Sequence, residues 1–173
     1  MSGFGRWRDG NISCDIDEYA KALANLWKDS EEICKRAVYA GADVVANAIK
    51  QNLNSIPVEE GPNGLPPYAG EGEKLHGVSR RQKADLINAF GLAPMEEEGD
   101  YINTKAGFDG YGSVKTKKYP QGVPNAMLMR SVESGTSFRD KHPTVRPAVN
   151  RSRKAAQAKM DETINQEIEK RME

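Results

Sequence analysis

Histidine and cysteine are scarce in this chain, with two of each among 173 residues. His76 sits in a loop beside Gly77, and His142 precedes Pro143 in another loop. Neither has a second histidine or a carboxylate at metal-ligand spacing, which speaks against a catalytic or metal-binding role for either. Cys14 and Cys34 are too few for a disulfide framework and are expected as two reduced thiols. Aromatic residues make up only 7% of the chain. No apolar run approaches the roughly 20 residues of a membrane span, and the first residues lack the apolar stretch of a signal peptide. The expectation is a protein that stays soluble where it is made, with no membrane partner. Net charge is also absent, since 25 Lys and Arg balance 25 Asp and Glu. That balance argues against a dedicated nucleic-acid binder.

What is present is polar but not extreme. Hydrophobic residues are 38% of the chain and the mean hydropathy is −0.71. The length suits one domain with a modest core. Charge is unevenly spread: Glu96, Glu97 and Glu98 form an acidic run, while Lys115, Lys117 and Lys118, and later Arg146, Arg151, Arg153 and Lys154, are basic. The acidic run lacks calcium-loop spacing and reads as surface, or as a salt contact between subunits with the Lys115–Lys118 cluster. The later basic residues lie without aromatics, so they would give at most a sequence-independent phosphate contact. The Gly70-Glu71-Gly72-Glu73-Lys74 segment lacks phosphate-loop spacing, and its glutamates would repel phosphate. No cofactor or metal and no enzymatic activity is expected.

Periodicity gives an α+β chain: a small antiparallel β-sheet packed against a long N-terminal helix and a C-terminal helix, with long loops. Residues 1–14, Gly-rich, read as a flexible arm, and residues 15–173 as a single domain. Asp15 caps a short helix that the Lys28-Asp29-Ser30 segment interrupts. Ser30 then caps a second helix over residues 30–53, whose stripe of Ile33, Ala37, Ala40, Gly41, Val44 and Ala48 is rich in small side chains. Residues 54–78 form an extended loop with Pro57, Pro62, Pro66 and Pro67, and the acidic, Pro-rich make-up of residues 54–72 argues against burial in its own subunit. Ser79 caps a helix over residues 80–90, ended by Gly91. Residues 99–108 read as a strand, and the Asp109-Gly110 turn would return the chain as a second strand over residues 113–116. Pro124 opens a helix that Gly135 closes in positive-φ geometry. Thr144-Val145 is expected extended, and Pro147 opens the last helix, residues 147–173.

The stretch from Met127 to Val149 carries the strongest signal: an apolar run ending in Glu133, a Gly135-Thr136 break, and a short loop to Arg146-Pro147. Two elements, Glu133-Ser134-Gly135-Thr136 and Pro143-Thr144-Val145-Arg146-Pro147-Ala148, are similar to the E-x-G-T segment and P-F-x-R-P-A turn of the HK97 gp10-like family of tail components of long-tailed phages. One departure is Thr144, where the family often has an aromatic residue. The resemblance implies an α+β subunit of a ring, usually a hexamer, in the phage neck. Such a protein completes or terminates the tail and joins it to the head. Its partners would be further copies of itself, the head–tail connector or stopper, the tail tube and, non-specifically, DNA in the lumen. It would be found in the virion after assembly in the host cytoplasm. Glu133, Gly135, Thr136, Pro143, Arg146 and Pro147 become the structural-turn and inter-subunit candidates, with Glu133 and Arg146 expected to pair across the turn. A DNA-contacting packaging or regulatory protein is the alternative.

Overall fold

In a computed structural model the described residues are 16–99 and 101–172; the expected arm, the Asp15 cap and Cys14 lie outside them. The fold is α+β, with α1 (Ile16–Leu53), a short 3-10 turn (Pro62–Gly64), α2 (Arg80–Ala89), β1 (Phe90–Leu92), β2 (Glu96–Glu98), β3 (Tyr101–Asn103), β4 (Ala106–Phe108), α3 (Asn125–Ser134) and α4 (Val145–Met172).

Helix α1 is continuous over 38 residues, where a break at Lys28-Asp29-Ser30 was expected. Ser30 does not start a helix, because its hydroxyl donates back to the Trp27 carbonyl at 2.8 Å, a bond available inside a helix. From Asp29 to Asn52, α1 packs antiparallel on α4. Ala37 and Ala156 are buried there, and Gly41 lies against the Met160 side chain. The small-residue stripe thus serves contact within the chain. The seam ends in a charged cluster. The Glu167 carboxylate, only 5% exposed, accepts from Arg36 at 3.0 Å, Arg171 at 2.7 Å and Lys170 at 3.1 Å. Hydrogen bonds from Arg171 and Lys170 hold its pKa down at about 2. Arg171 also reaches Asp29 on α1 at 3.0 Å.

The upper half of α1 faces the apolar core, where Ala46, Ile49 and Leu53 meet Ile56, Val78, Leu86, Phe90, Leu128, Met129, Val132 and Ala148. Helix α2 stops at Ala89, one residue before the expected end, because Phe90 turns to extended geometry and enters β1. Gly91 is therefore a strand residue opposite Gly107, not a helix terminator.

The sheet also differs from expectation. Two small antiparallel pairs are nested: β1 with β4, and β2 with β3 inside them. The partners of residues 99–108 precede them in the chain. The Ala93 amide donates to the Lys105 carbonyl at 2.7 Å and the Thr104 hydroxyl to the Ala93 carbonyl at 2.8 Å, which links the two pairs. The Asp109-Gly110 turn does not reverse the strand. Instead the Asn125 amide donates to the Gly110 carbonyl at 3.1 Å, and Gly112 and Val123 pair, sending the chain into α3. Glu96 and Glu97 are used within the chain, paired with Lys105 and Lys35.

The loop over residues 54–78 is half absorbed by its own domain. Its ends are buried at Ile56 (1% exposed), Leu75 (7%) and Val78 (0%), and Val58 bridges Val78. Apolar residues at the loop's two ends draw it onto the core, while much of the acidic, Pro-rich middle stays out in solvent. No helix among the described residues is long and apolar enough to cross a membrane.

Candidate functional site

The site is the connection between α3 and α4. Its first requirement is a sharp exit from α3. The Gly135 amide donates to the Ser131 carbonyl at 3.0 Å, closing the last turn. Gly135 has φ 72° and ψ 168°. That region is open essentially to glycine alone. A Cβ there would also stand 3.1 Å from the Lys141 amide nitrogen, so both conformation and space select glycine. Thr136 and Arg139 then exchange backbone hydrogen bonds of 2.9 and 3.4 Å around Ser137 and Phe138, making a tight loop.

The chain next runs back along α3, with the His142 amide on the Val132 carbonyl at 2.7 Å. This brings the start of α4 over the Glu133 side chain. One carboxylate oxygen accepts from the Thr144 amide at 2.6 Å and the Val145 amide at 2.9 Å; the other accepts from the Arg146 amide at 2.9 Å. These are the N–H groups that a helix start leaves without intrahelical partners. Burial pushes the Glu133 carboxyl up, but the three amides and the Arg146 charge outweigh it and leave its pKa lowered. The expected Glu133–Arg146 ion pair is therefore corrected: Glu133 binds the Arg146 backbone, and the Arg146 side chain is exposed.

Helix α4 consequently begins at Val145, two residues before the expected Pro147. Val145 is helical and so does not extend the chain with Thr144. Pro147 occupies the first helical turn, where its missing N–H costs nothing. Thr144 is fully buried, and its carbonyl accepts from Asn52 of α1 at 2.9 Å. A small side chain fits this crowded position. Pro143 is exposed beside it. The candidate residues are thus drawn into one short turn, and the carboxylate of Glu133 accepts from three of its amides.

Three participants, Arg139, Glu59 and Asp140, carry little signal in the sequence. Arg139 is 6% exposed and donates to the Gly77 carbonyl. Burial lowers its pKa and the Glu59 charge opposes that; arginine stays protonated regardless. Glu59 accepts from the His76 and Gly77 amides at 2.6 and 2.9 Å. The Gly77 peptide is gripped from both sides, and a Cβ on Gly77 would meet the Pro57 carbonyl oxygen at 2.5 Å. Asp140, 64 residues away in sequence, supplies His76 with a carboxylate partner at 2.6 Å that spacing could not reveal. The absence of any Lys or Arg beside Glu59 and Glu60 was the only signal that these carboxylates seek partners elsewhere. Among the described residues no cluster of three or more His, Cys, Asp and Glu side chains could hold a metal. No protein-family model, no curated protein and no solved structure matches this chain.

Proposed function

We propose that this chain is a structural virion protein of a long-tailed phage, acting by docking rather than by catalysis. In this reading it forms a ring, expected to be a hexamer, in the neck, where it completes or terminates the tail and joins it to the head. The observation that carries the reading is the convergence of the family-like residues on one device. Glu133, Gly135, Thr136, Arg146 and Pro147 lie in one connection, where together they set the angle between α3 and α4. A subunit whose work is shape needs its elements held at a fixed angle. Neighbouring copies, the connector or stopper and the tail tube are the partners this role requires. Particles assembled without the protein test it by negative-stain imaging. Separate filled heads and finished tails are expected for a joining role, and overlong tails for a terminator. Intact, infectious virions would overturn the proposal.

A second reading, a DNA-contacting packaging or regulatory protein, is favoured by one observation. Residues 146–160 carry five cations and no anion. They occupy the N-terminal half of α4, where the helix dipole disfavours positive charge. Arg146, Arg153 and Lys154 are exposed. Duplex DNA binding that falls steeply with salt, and less steeply after Arg146→Ala, Arg153→Ala and Lys154→Ala together, would support this reading. Salt-independent or absent binding would remove it.

A further inference from the structure

We propose that Asp85, Asn125 and the backbone around Gly112 form a calcium site that ties helix α2 to the start of α3. The inference goes beyond the neck reading and does not depend on it.

The site lies where the chain runs from β4 into α3. The Gly112 amide donates to the Val123 carbonyl at 2.8 Å, and the Val123 amide to the Val114 carbonyl at 3.3 Å. Gly122 allows this close approach. It has φ 113°, and a Cβ on it would collide with the Gly112 carbonyl oxygen. Helix α2 is tied to the same segment, because the Asp85 carboxylate accepts from the Ser113 amide at 2.7 Å and from its hydroxyl at 2.9 Å.

Gly112 itself is the informative residue. Its φ lies outside the left-handed region, so conformation does not demand glycine there. Space does. A Cβ would stand 3.0 Å from Asp85 Oδ2, 3.3 Å from Asn125 Oδ1 and 3.5 Å from the Val123 carbonyl oxygen. Three acceptors, from α2, from α3 and from the segment between them, surround one point.

Asn125 supplies an independent observation. It is 3% exposed. Its side-chain NH2 donates to the Asp109 carbonyl at 2.9 Å, which leaves Oδ1 facing Gly112. That oxygen is buried and has no hydrogen-bond partner among the described residues. A buried amide oxygen is costly unless a donor or a cation meets it.

Charge points the same way. Neither Asp85 nor Asp109 forms an ion pair among the described residues. The nearest cations in sequence, Arg81, Lys115, Lys117 and Lys118, are exposed. Calcium accepts this mixture of carboxylate, amide and backbone oxygens and completes its shell with water, whereas magnesium dehydrates reluctantly. The set contains one acidic side chain and so differs in kind from the acid and histidine clusters absent above. So few charges give a weak site, with a Kd on the order of 10⁻⁴–10⁻³ M.

Calorimetric titration of calcium into the chelator-treated full chain should reveal one site of that affinity. The Tm should rise by at least about 3 °C in about 10 mM calcium chloride, compared with sodium chloride of equal ionic strength. Amide exchange should slow at residues 110–125 and stay unchanged at residues 144–146. Asp85→Asn keeps an acceptor for Ser113 and removes the charge. Gly112→Ala places a methyl group among the three oxygens. Each should keep its circular dichroism spectrum and bind calcium at least about tenfold more weakly. Any of four results would overturn the proposal: no calcium binding by wild type, an equal Tm shift with magnesium or potassium, protection from exchange that spares residues 110–125, or folded variants that bind as wild type does. The first three need no variant to fold.

Discussion

Helices α2 and α4 begin with the same physical problem and solve it at different ranges. Each exposes first-turn N–H groups without acceptors. In α2 the answer is local. The Ser79 hydroxyl accepts from the Gln82 amide at 3.2 Å, and the Gln82 side chain accepts from the Ser79 amide at 3.1 Å. Four consecutive residues suffice, and this capping box forms whenever the helix forms. In α4 the acceptor is the Glu133 carboxylate, 11 to 13 residues upstream on another helix. That cap exists only when α3 has formed and Gly135 has turned the chain back. The start of α2 is a property of its own sequence; the start of α4 is a property of the pair α3–α4.

The largest break in this comparison should come from Glu133→Ala. It removes the acceptor of three amides at once, and about 2–3 kcal/mol should be lost in chemical denaturation. Amide exchange should accelerate at residues 144–146 and remain slow in the first turn of α2. Equal acceleration at both sites would mean that Glu133 acts on global stability alone and does not set the α4 start.

Acid sharpens the contrast, because only one of the two caps titrates. The folded-state pKa of Glu133 is lowered. Its contribution is therefore fully present above the ordinary glutamate value near pH ~4.3 and is lost as pH falls through the lowered value. Glu167, lowered to about 2, weakens in the same acidic range. The informative quantity is thus the stability difference between wild type and Glu133→Gln, which should shrink below pH ~4. The difference between wild type and Ser79→Ala should stay constant over the same range. That second difference should be about 1 kcal/mol, the usual size of a lost serine cap. Its structural footprint should stay inside the first turn of α2.

The same division of range decides what could be read from the residues. Ser79, Gly135 and the helices they bound were legible because their signals are local: a cap three residues before its acceptor site, a glycine at a helix end. The α+β class and most helix bounds followed. The failures are non-local. Lys28-Asp29-Ser30 resembles a break and a cap, yet α1 runs through it. The nested sheet was missed because the partner of Phe108 is Phe90, and three-residue strands leave almost no alternating pattern. Leu75 and Val78 looked like loop because what holds them comes from elsewhere in the chain: Phe138 and Arg139 pair with Leu75, and Val78 joins the core with residues of α1, α2 and α3. Of the turn, its members were legible and its wiring was not.

The smallest effect separates the wiring from the expected ion pair. If Glu133 and the Arg146 side chain formed the essential contact, Arg146→Ala and Glu133→Ala would be equally damaging, and exchanging the two charges would restore the fold. The structure assigns Glu133 to the Arg146 amide, which survives every substitution at 146 except proline. Arg146→Ala should therefore change stability by no more than about 0.5 kcal/mol, as for other exposed positions. The Glu133→Arg/Arg146→Glu exchange should be as unstable as Glu133→Arg alone, since the new glutamate lies inside the first turn and cannot reach back to the amides that 133 had satisfied. A double-mutant cycle with a coupling energy near zero is the expected outcome, and a coupling above about 1 kcal/mol would restore the ion pair as the force that fixes the last helix.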